Sequence, residues 1–332
     1  MSRAPTRRGA LAILGAALAA PSLLRAQGRD GLAAVRDRAA ATAQLHALIV
    51  HRGGEALLAE AFRGPGLDRV ANVKSASKTI LSLLVGIAID RGVLPGVEAP
   101  LLPLLGQDAA GDARDRIVLA DLLSMRGGLG STSGPNYGAW VSSGNWVDYA
   151  LRQPLVSEPG GRFIYSTGTT HLLGVALARA ADASLLELAR DWLGRPLGID
   201  FAPWVRDPQG YYLGGNDMAT TPRGLARIGE MVLAGGLWDG EQVVSKAWLD
   251  AALTGRGRSP FSGDRYGYGW FLTRLDGREA AYARGYGGQI LAVVPAAGIV
   301  IAITSDPNLP ARSGGYFGDL RELMEEVVAT AA

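Results

Sequence analysis

Apolar residues recur along this chain with two periods, and the period changes with position. Residues 29–43 place Leu32, Val35, Ala39 and Ala40 on one side, with Arg and Asp elsewhere, which predicts a helix. Two short runs follow, Leu45–His51 and Ala56–Phe62, split by Arg52-Gly53-Gly54-Glu55, and these read as a hairpin. Toward the other end, Gly288–Pro295 and Gly298–Thr304 are strand-like. Beyond them, Phe317, Leu320, Leu323, Met324, Val327 and Val328 form the apolar stripe of a terminal helix. The middle is different. Ile80, Leu81, Leu83, Leu84, Val85, Ile87 and Ile89 make residues 79–91 apolar on every side, as a buried helix is. Further helices are predicted at 118–124, 145–151, 169–182, 184–193 and 221–234, separated by loops such as Gly127–Tyr137 and Ser157–Arg162. Mixed strand and helix near 28–74 and 236–332 therefore enclose a helical part near 79–235. One mixed domain split in sequence by a helical insertion leaves a cleft between the two parts, a favoured place for small ligands.

Composition narrows the function. The chain has 332 residues and 48% hydrophobic content, enough to bury a real core, and no short repeat. Its 33 basic and 31 acidic residues leave a formal charge of +2, too balanced and too evenly spread for a nucleic-acid binder. It has no Cys, hence no disulfide, thiolate nucleophile or Cys-ligated metal, and the reading below needs no metal or organic cofactor.

Residues 1–26 read as an export signal. Arg3 to Arg8 form a basic head, an apolar run spans Gly9–Ala20, and Leu24-Arg25-Ala26 ends on a small residue. Arg7-Arg8 favours the twin-arginine type. The run falls short of the roughly 20 residues a membrane span needs. Removing residues 1–26 deletes four Arg and no acid, taking the formal charge from +2 to −2. The expected product is exported, to a bacterial periplasm or beyond, without a membrane span.

The sequence lacks a Gly-x-Ser-x-Gly elbow, His-Glu-x-x-His, Gly-x-x-x-x-Gly-Lys and Gly-x-Gly-x-x-Gly. Its only His are His46, His51 and His171. A Ser-His-Asp triad would need His171, and no elbow supports one. Ser75-Ala76-Ser77-Lys78 opens the buried helix instead. Only three of the 33 basic residues are Lys: Lys74, Lys78 and Lys246. Arg stays protonated, whereas a desolvated Lys can give up its proton and act as a base. Spaced i, i+3 on a helix, Ser75 and Lys78 project from one face, and the helix N-terminus favours an alkoxide-like Ser75. Lys74 is expected to be exposed. Tyr165, in Phe163-Ile164-Tyr165-Ser166-Thr167, can relay a proton if it lies near Lys78; alone it reads as a core aromatic. In Arg284-Gly285-Tyr286-Gly287-Gly288-Gln289 the glycines permit close backbone approach to a ligand. The Gln289 and Ser75 N–H groups are expected to form an oxyanion hole. Tyr137 and Trp140 are placed at the pocket mouth.

These three segments, in this order, resemble the three motifs of the serine β-lactamase and penicillin-binding-protein-like superfamily, closest to its class C-like group of esterases, D-aminopeptidases and 6-aminohexanoate-dimer hydrolases. Asp121-Leu122-Leu123-Ser124-Met125, Gly215-Asn216-Asp217-Met218-Ala219-Thr220-Thr221, Gly235–Gly240 and Tyr266-Gly267-Tyr268-Gly269-Trp270 add to the likeness, which spans about residues 30–328. It implies an α+β fold, an antiparallel sheet flanked by N- and C-terminal helices with an inserted helical domain, and the site at their junction. It also implies that Ser75 is the nucleophile, that Lys78 and Tyr165 share the proton work, and that Thr167, Tyr286, Gly287, Gly288 and Tyr137 contact substrate. Two positions depart from the motifs of β-lactam-active members. Thr167 stands where Asn is usual, and Tyr286-Gly287-Gly288 stands for Lys-Thr-Gly. The missing Lys removes a cation for a substrate carboxylate. The expectation is an ester or amide hydrolase acting on a small molecule, with a β-lactamase or D-amino-acid peptidase, or an inactive binding protein, as alternatives.

Overall fold

The computed structural model describes residues 31–332. The expected export segment, residues 1–26, lies outside them. Residues 31–41 form α1, with Val35 and Ala39 fully buried on the side the periodicity picks out. Eight strands make one sheet: β1 (Leu45–Arg52), β2 (Glu55–Ala61), β3 (Gly257–Arg258), β4 (Arg265–Tyr266), β5 (Phe271–Leu275), β6 (Arg278–Gly285), β7 (Gln289–Val294) and β8 (Ile299–Ser305). Its order is β2-β1-β8-β7-β6-β5-β4-β3, and every neighbouring pair is antiparallel. Two ends of the chain thus meet in one sheet, through β1 and β8, with Leu48 opposite Ile303 and Val50 opposite Ile301.

Both faces of the sheet are covered, so β7 and β8 are mainly apolar, through Ile290–Val294 and Ile299–Ile303, with every residue of both strands buried. Alternate residues go to opposite sides. Leu48, Val50, Ile290, Ala292, Ile301 and Ile303 pack with Val35, Ala39 and the terminal helix through Phe317, Leu320 and Leu323. Ile49, Ala283, Leu291, Val293, Val300 and Ala302 pack against the helical layer. That layer is centred on α2 (Ser77–Asp90), buried from Ser77 to Ala88. Around it lie α3 (Thr167–Ala181) and α4 (Pro222–Leu233), with the terminal helix α5 (Tyr316–Ala331) on the far face of the sheet. The side chain of Thr221 caps α4 by accepting the Gly224 N–H at 2.9 Å.

Two features differ from the sequence pattern. The helical layer runs past residue 236, because Lys246–Ala252 packs on α2: a Cβ on Gly86 would fall 2.3 Å from the Trp248 ring. It also carries a three-stranded sheet of Ala71–Asn72, Ala219–Thr220 and Phe201–Ala202, in that order. This small sheet ties the approach to Ser75 to the segment around Asn216. No helix of the described residues is long and apolar enough to cross a membrane.

Candidate active site

Ser75 sits in a single 3-10 turn, Lys74–Ala76, that feeds α2. The turn is pinned from three sides. Lys74 adopts φ +49°, a left-handed conformation that costs a non-glycine residue about 1 kcal/mol. Asn72 Oδ1 accepts the Lys74 N–H at 2.8 Å, and Lys74 Nζ pairs with Asp217 Oδ1 at 2.9 Å. Ser77 Oγ donates to the Lys74 carbonyl and accepts the Met218 N–H at 3.0 Å. Lys74 is therefore not the free surface residue expected; it is half-buried in an ion pair that holds the turn.

One turn on, Lys78 is 4% exposed, and its Nζ lies 3.0 Å from Ser75 Oγ. The i, i+3 spacing has brought the two groups together on one helix face. Lys78 Nζ also donates to the Gly215 carbonyl at 2.6 Å and to Thr167 Oγ1 at 3.3 Å. All three partners are neutral oxygens. Burial pulls the Lys78 amine below the ordinary lysine range, opposed only in part by Tyr165 and by the more distant Asp217 carboxylate. The amine lies over the Tyr165 ring, 4.9 Å from its centroid.

Tyr165 and Thr167 owe their placement to the start of α3. Ser166 is its N-cap and accepts the Thr169 N–H at 3.4 Å. The Ser131–Ser133 loop is stitched to the same turn. Ser131 Oγ donates to the Tyr165 carbonyl at 2.6 Å, and Ser133 Oγ accepts the Thr167 N–H at 2.8 Å. Ser133 Oγ also bonds Thr167 Oγ1 at 2.9 Å, which makes a hydroxyl chain from Ser133 through Thr167 to Lys78. On the other side, Ser75 Oγ donates to Asn216 Oδ1 at 3.3 Å, and Asn216 Nδ2 donates to the Tyr137 hydroxyl at 3.4 Å. Tyr137 thus reaches the site, whereas Trp140 is wholly buried in a cluster with Trp146 and Leu213 and does not line its mouth. Burial and the nearby Asp217 raise the Tyr137 phenol above its usual range.

The third segment is built into the sheet. Gln289 is fully buried in β7, paired with Gly285 across the hairpin. Its carboxamide accepts the Ser305 N–H at 3.1 Å and donates to the Ser305 carbonyl at 2.8 Å. Its backbone belongs to the sheet ladder beside β6. Gly287 and Gly288 also face protein. A Cβ at Gly287 would fall 2.3 Å from the Asp306 carbonyl, and one at Gly288 would fall 2.6 Å from the Tyr316 ring. Both take positive φ in the hairpin turn, so the fold accounts for these glycines without a ligand. The strand end that meets the nucleophile turn is Gly285, where a Cβ would lie 2.3 Å from the Val73 carbonyl. Tyr286, which follows it, is 52% exposed.

Among the described residues no group of three or more His, Cys, Asp or Glu could hold a metal. His171 lies in the core of the helical layer, its Nε2 3.0 Å from Asp207 Oδ2 with both side chains inaccessible, and it does not touch Ser75. Sequence reasoning did not single out Ser133, Asn72 or Asn216 as site residues. For Asn216 the Gly-Asn-Asp-Met segment was a signal, since it marks a tight turn rich in hydrogen-bonding groups.

Comparison with known proteins places the fold and the family. A family model described as Beta-lactamase matches residues 27–317. A 6-aminohexanoate-dimer hydrolase from Paenarthrobacter ureafaciens is 26% identical over 293 residues, covering 79% of this chain and 73% of that protein. Among solved structures, a penicillin-binding protein homologue from Caulobacter crescentus aligns with TM-score 0.70 at 19% identity, over 91% of this chain and 97% of its own. A family VIII carboxylesterase aligns with TM-score 0.70 at 17% identity, over 88% and 96%. With most of its length matched by the family model, the chain belongs to the beta-lactamase family and is a hydrolase of that family.

Proposed function

We propose that the protein is a serine hydrolase that cleaves a small ester or amide through an acyl-enzyme on Ser75. The observation that carries this reading is the buried Lys78 amine, 3.0 Å from Ser75 Oγ and in contact with no carboxylate. A neutral lysine has two N–H bonds and one lone pair. Gly215 and Thr167 use the two N–H bonds, which leaves the lone pair free to take the Ser75 proton once that hydroxyl turns from Asn216 Oδ1 toward Nζ. Lys78 takes that proton as Ser75 Oγ attacks the carbonyl. The C–O or C–N bond of the tetrahedral adduct breaks, and Tyr165, beside the amine, passes the proton to the leaving group. Water then attacks the acyl-enzyme by the same route and releases the acid. The oxyanion falls to the Ser75 N–H and, in place of Gln289, to the N–H of Tyr286 after Gly285, a donor pair of a kind worth about 10²–10³ in rate per group.

Charge supports an ester or amide over an acidic β-lactam or peptide. Two cations close to the candidate site, besides Lys78, are already engaged. Lys74 pairs with Asp217. Arg284 turns to Ser313 Oγ at 3.0 Å and the Ala311 carbonyl at 2.8 Å, with its guanidinium 3.5 Å from the Phe317 ring centre. Neither is free to pair with a substrate carboxylate. The names of the similar hydrolase and carboxylesterase point the same way. Export remains part of the proposal, supported by Arg7-Arg8 ahead of the apolar run and tested by cell fractionation.

The test is a fluorophosphonate probe with mass spectrometry, alongside turnover of p-nitrophenyl butyrate and nitrocefin. The expected result is an adduct on the Ser75 peptide, ester turnover well above nitrocefin turnover, and loss of at least about 10³-fold in Ser75→Ala with the fold intact. An unlabelled Ser75 at saturating probe points to a binding protein. Nitrocefin turnover that matches ester turnover overturns the substrate class.

A further inference from the structure

Two atoms that set the geometry of the Ser75–Lys78 pair come from the segment that runs from Gly214 to Asn216. The Gly215 carbonyl accepts the shortest of the three Lys78 hydrogen bonds, 2.6 Å against 3.0 and 3.3 Å. Next to it, Asn216 Oδ1 accepts from Ser75 Oγ. Gly215 has no side chain with which to anchor, and it lies flush on α3, where a Cβ would fall 2.0 Å from Thr170 Oγ1. Gly214 before it is as close, with space for a Cβ blocked by the Thr170 carbonyl at 2.8 Å. Asp217 and Met218 anchor it on the side of the nucleophile turn, and a second anchor lies behind it. The Gly214 N–H donates to His171 Nδ1 at 3.3 Å. His171 Nε2 is 3.0 Å from Asp207 Oδ2, and Asp207 Oδ1 accepts the Tyr211 N–H at 2.8 Å. The rings of Trp140 and Trp146 flank the imidazole at 5.8 and 5.7 Å.

The tautomer follows from these partners. A backbone N–H can only donate, so Nδ1 is the acceptor, and the ring proton lies on Nε2, aimed at a carboxylate that can only accept. Both nitrogens are thus used, in a site closed to water, where a polar group without partners is costly. Had the site needed only volume between two Trp rings, an apolar ring would serve without that cost.

We propose that His171 is a positioning residue. With Asp207 it clamps residues 207–216 onto α3, so that the Gly215 carbonyl and the Asn216 carboxamide stay in register with Lys78 and Ser75. The inference rests on the acyl-transfer reading above. Release of the clamp lets Gly215 drift from Lys78, and a displacement of about 1 Å in a reacting constellation costs about 10²-fold in rate.

His171→Phe and His171→Asn separate this role from simple packing. Phe keeps the aromatic volume and deletes both hydrogen bonds. Asn leaves a cavity and strands Asp207, yet its Oδ1 reproduces the Nδ1 acceptor for Gly214. The expected result for His171→Phe is a fall of about 10²-fold in kcat for p-nitrophenyl butyrate, with KM within about threefold. His171→Asn is expected to recover to within about tenfold of the parent kcat although its Tm is no higher than that of the Phe variant. If activity merely followed stability, Asn would be no better than Phe, and that ranking overturns the proposal, as does a Phe variant with kcat within threefold of the parent. Should neither variant fold, Asp207→Asn decides with no change of volume. It leaves one acceptor for two N–H donors and is expected to lower kcat about tenfold at unchanged KM; an unchanged kcat overturns the proposal. The parent protein and Ser75→Ala are run alongside. Lack of Ser75-dependent turnover in the parent sinks the acyl-transfer reading itself, whereas an active parent with equally active variants sinks only the clamp.

Discussion

Lys78 and His171 are both nitrogen bases shut away from water within one helical layer, yet their surroundings give them opposite work. His171 faces the Asp207 carboxylate, with both side chains wholly buried, and its other nitrogen is tied to the Gly214 N–H. Both of its nitrogens are held in hydrogen bonds. Lys78 touches three neutral oxygens, one of them the Ser75 hydroxyl, and burial alone pushes its amine below the usual range. A carboxylate partner pins a proton, and a neutral shell leaves it transferable. The lesson is sharper for Lys74, four residues before Lys78. It meets Asp217 at 2.9 Å and serves to hold a turn. Residue type does not distinguish the two lysines; the charge of the nearest oxygen does.

The most severe way to break the contrast is Lys78→Arg. The cation is kept, but it cannot be deprotonated, so the base is gone. The expected loss is about 10²–10⁴-fold in kcat for ester hydrolysis, the range of a general base, with a parallel loss in the rate of phosphonylation of Ser75 and an unchanged near-UV spectrum. Retention of most activity would remove Lys78 from the role of base.

A milder change uses the other lysine. Lys74→Met frees the Asp217 carboxylate, which already raises the Lys78 amine slightly from a distance. With its cation gone, Asp217 favours the Lys78 ammonium more. The amine must then be deprotonated at higher pH, so the acid limb of the kcat/KM profile moves upward, by less than about one unit. At the plateau kcat stays within about tenfold of the parent, because no reacting atom has been removed. A limb that moves down, or a loss as large as that of Lys78→Arg, would erase the distinction between the two lysines.

What could be read from the chain, and what could not, follows from how local each feature is. Ser75 and Lys78 were legible because the i, i+3 spacing and the apolar helix behind them lie within one short stretch. The buried strands β7 and β8 were legible because strands covered on both faces carry long apolar runs, Ile290–Val294 and Ile299–Ile303. Strand β6 was not. Its sequence, Arg-Glu-Ala-Ala-Tyr-Ala-Arg-Gly, is built from good helix formers, and only its neighbours in the sheet make it extended. That omission bears on the choice between Gln289 and Tyr286 as the oxyanion donor. With β6 unseen, the glycines after it were read as the approach to substrate and Gln289 as the donor, whereas Gly285 at the end of β6 is what meets the nucleophile turn. Gly215 and Ser133 were invisible for a related reason. One contributes a carbonyl and the other a hydroxyl, groups found throughout any chain, and only tertiary packing brings these particular ones to Lys78.

The smallest effect is on stability, and it isolates the amine from catalysis altogether. An amine whose folded pKa lies below its unfolded value of about 10.4 leaves the folded state with fewer bound protons between those two values. Within that window, stability rises with pH: the unfolded chain holds a proton that the native state has given up. The burial of Lys78 costs the native protein most at the acid end and least above the unfolded pKa. In Lys78→Met the group is absent and so is its share of the slope. Urea unfolding of the parent at pH 7 and pH 9 is therefore expected to show a gain of up to about 1.4 kcal/mol per pH unit beyond any gain in Lys78→Met. Groups common to both proteins cancel in that difference. Parallel curves would mean that Lys78 is protonated in the native state throughout the range, and then the neutral shell around it does not free its proton.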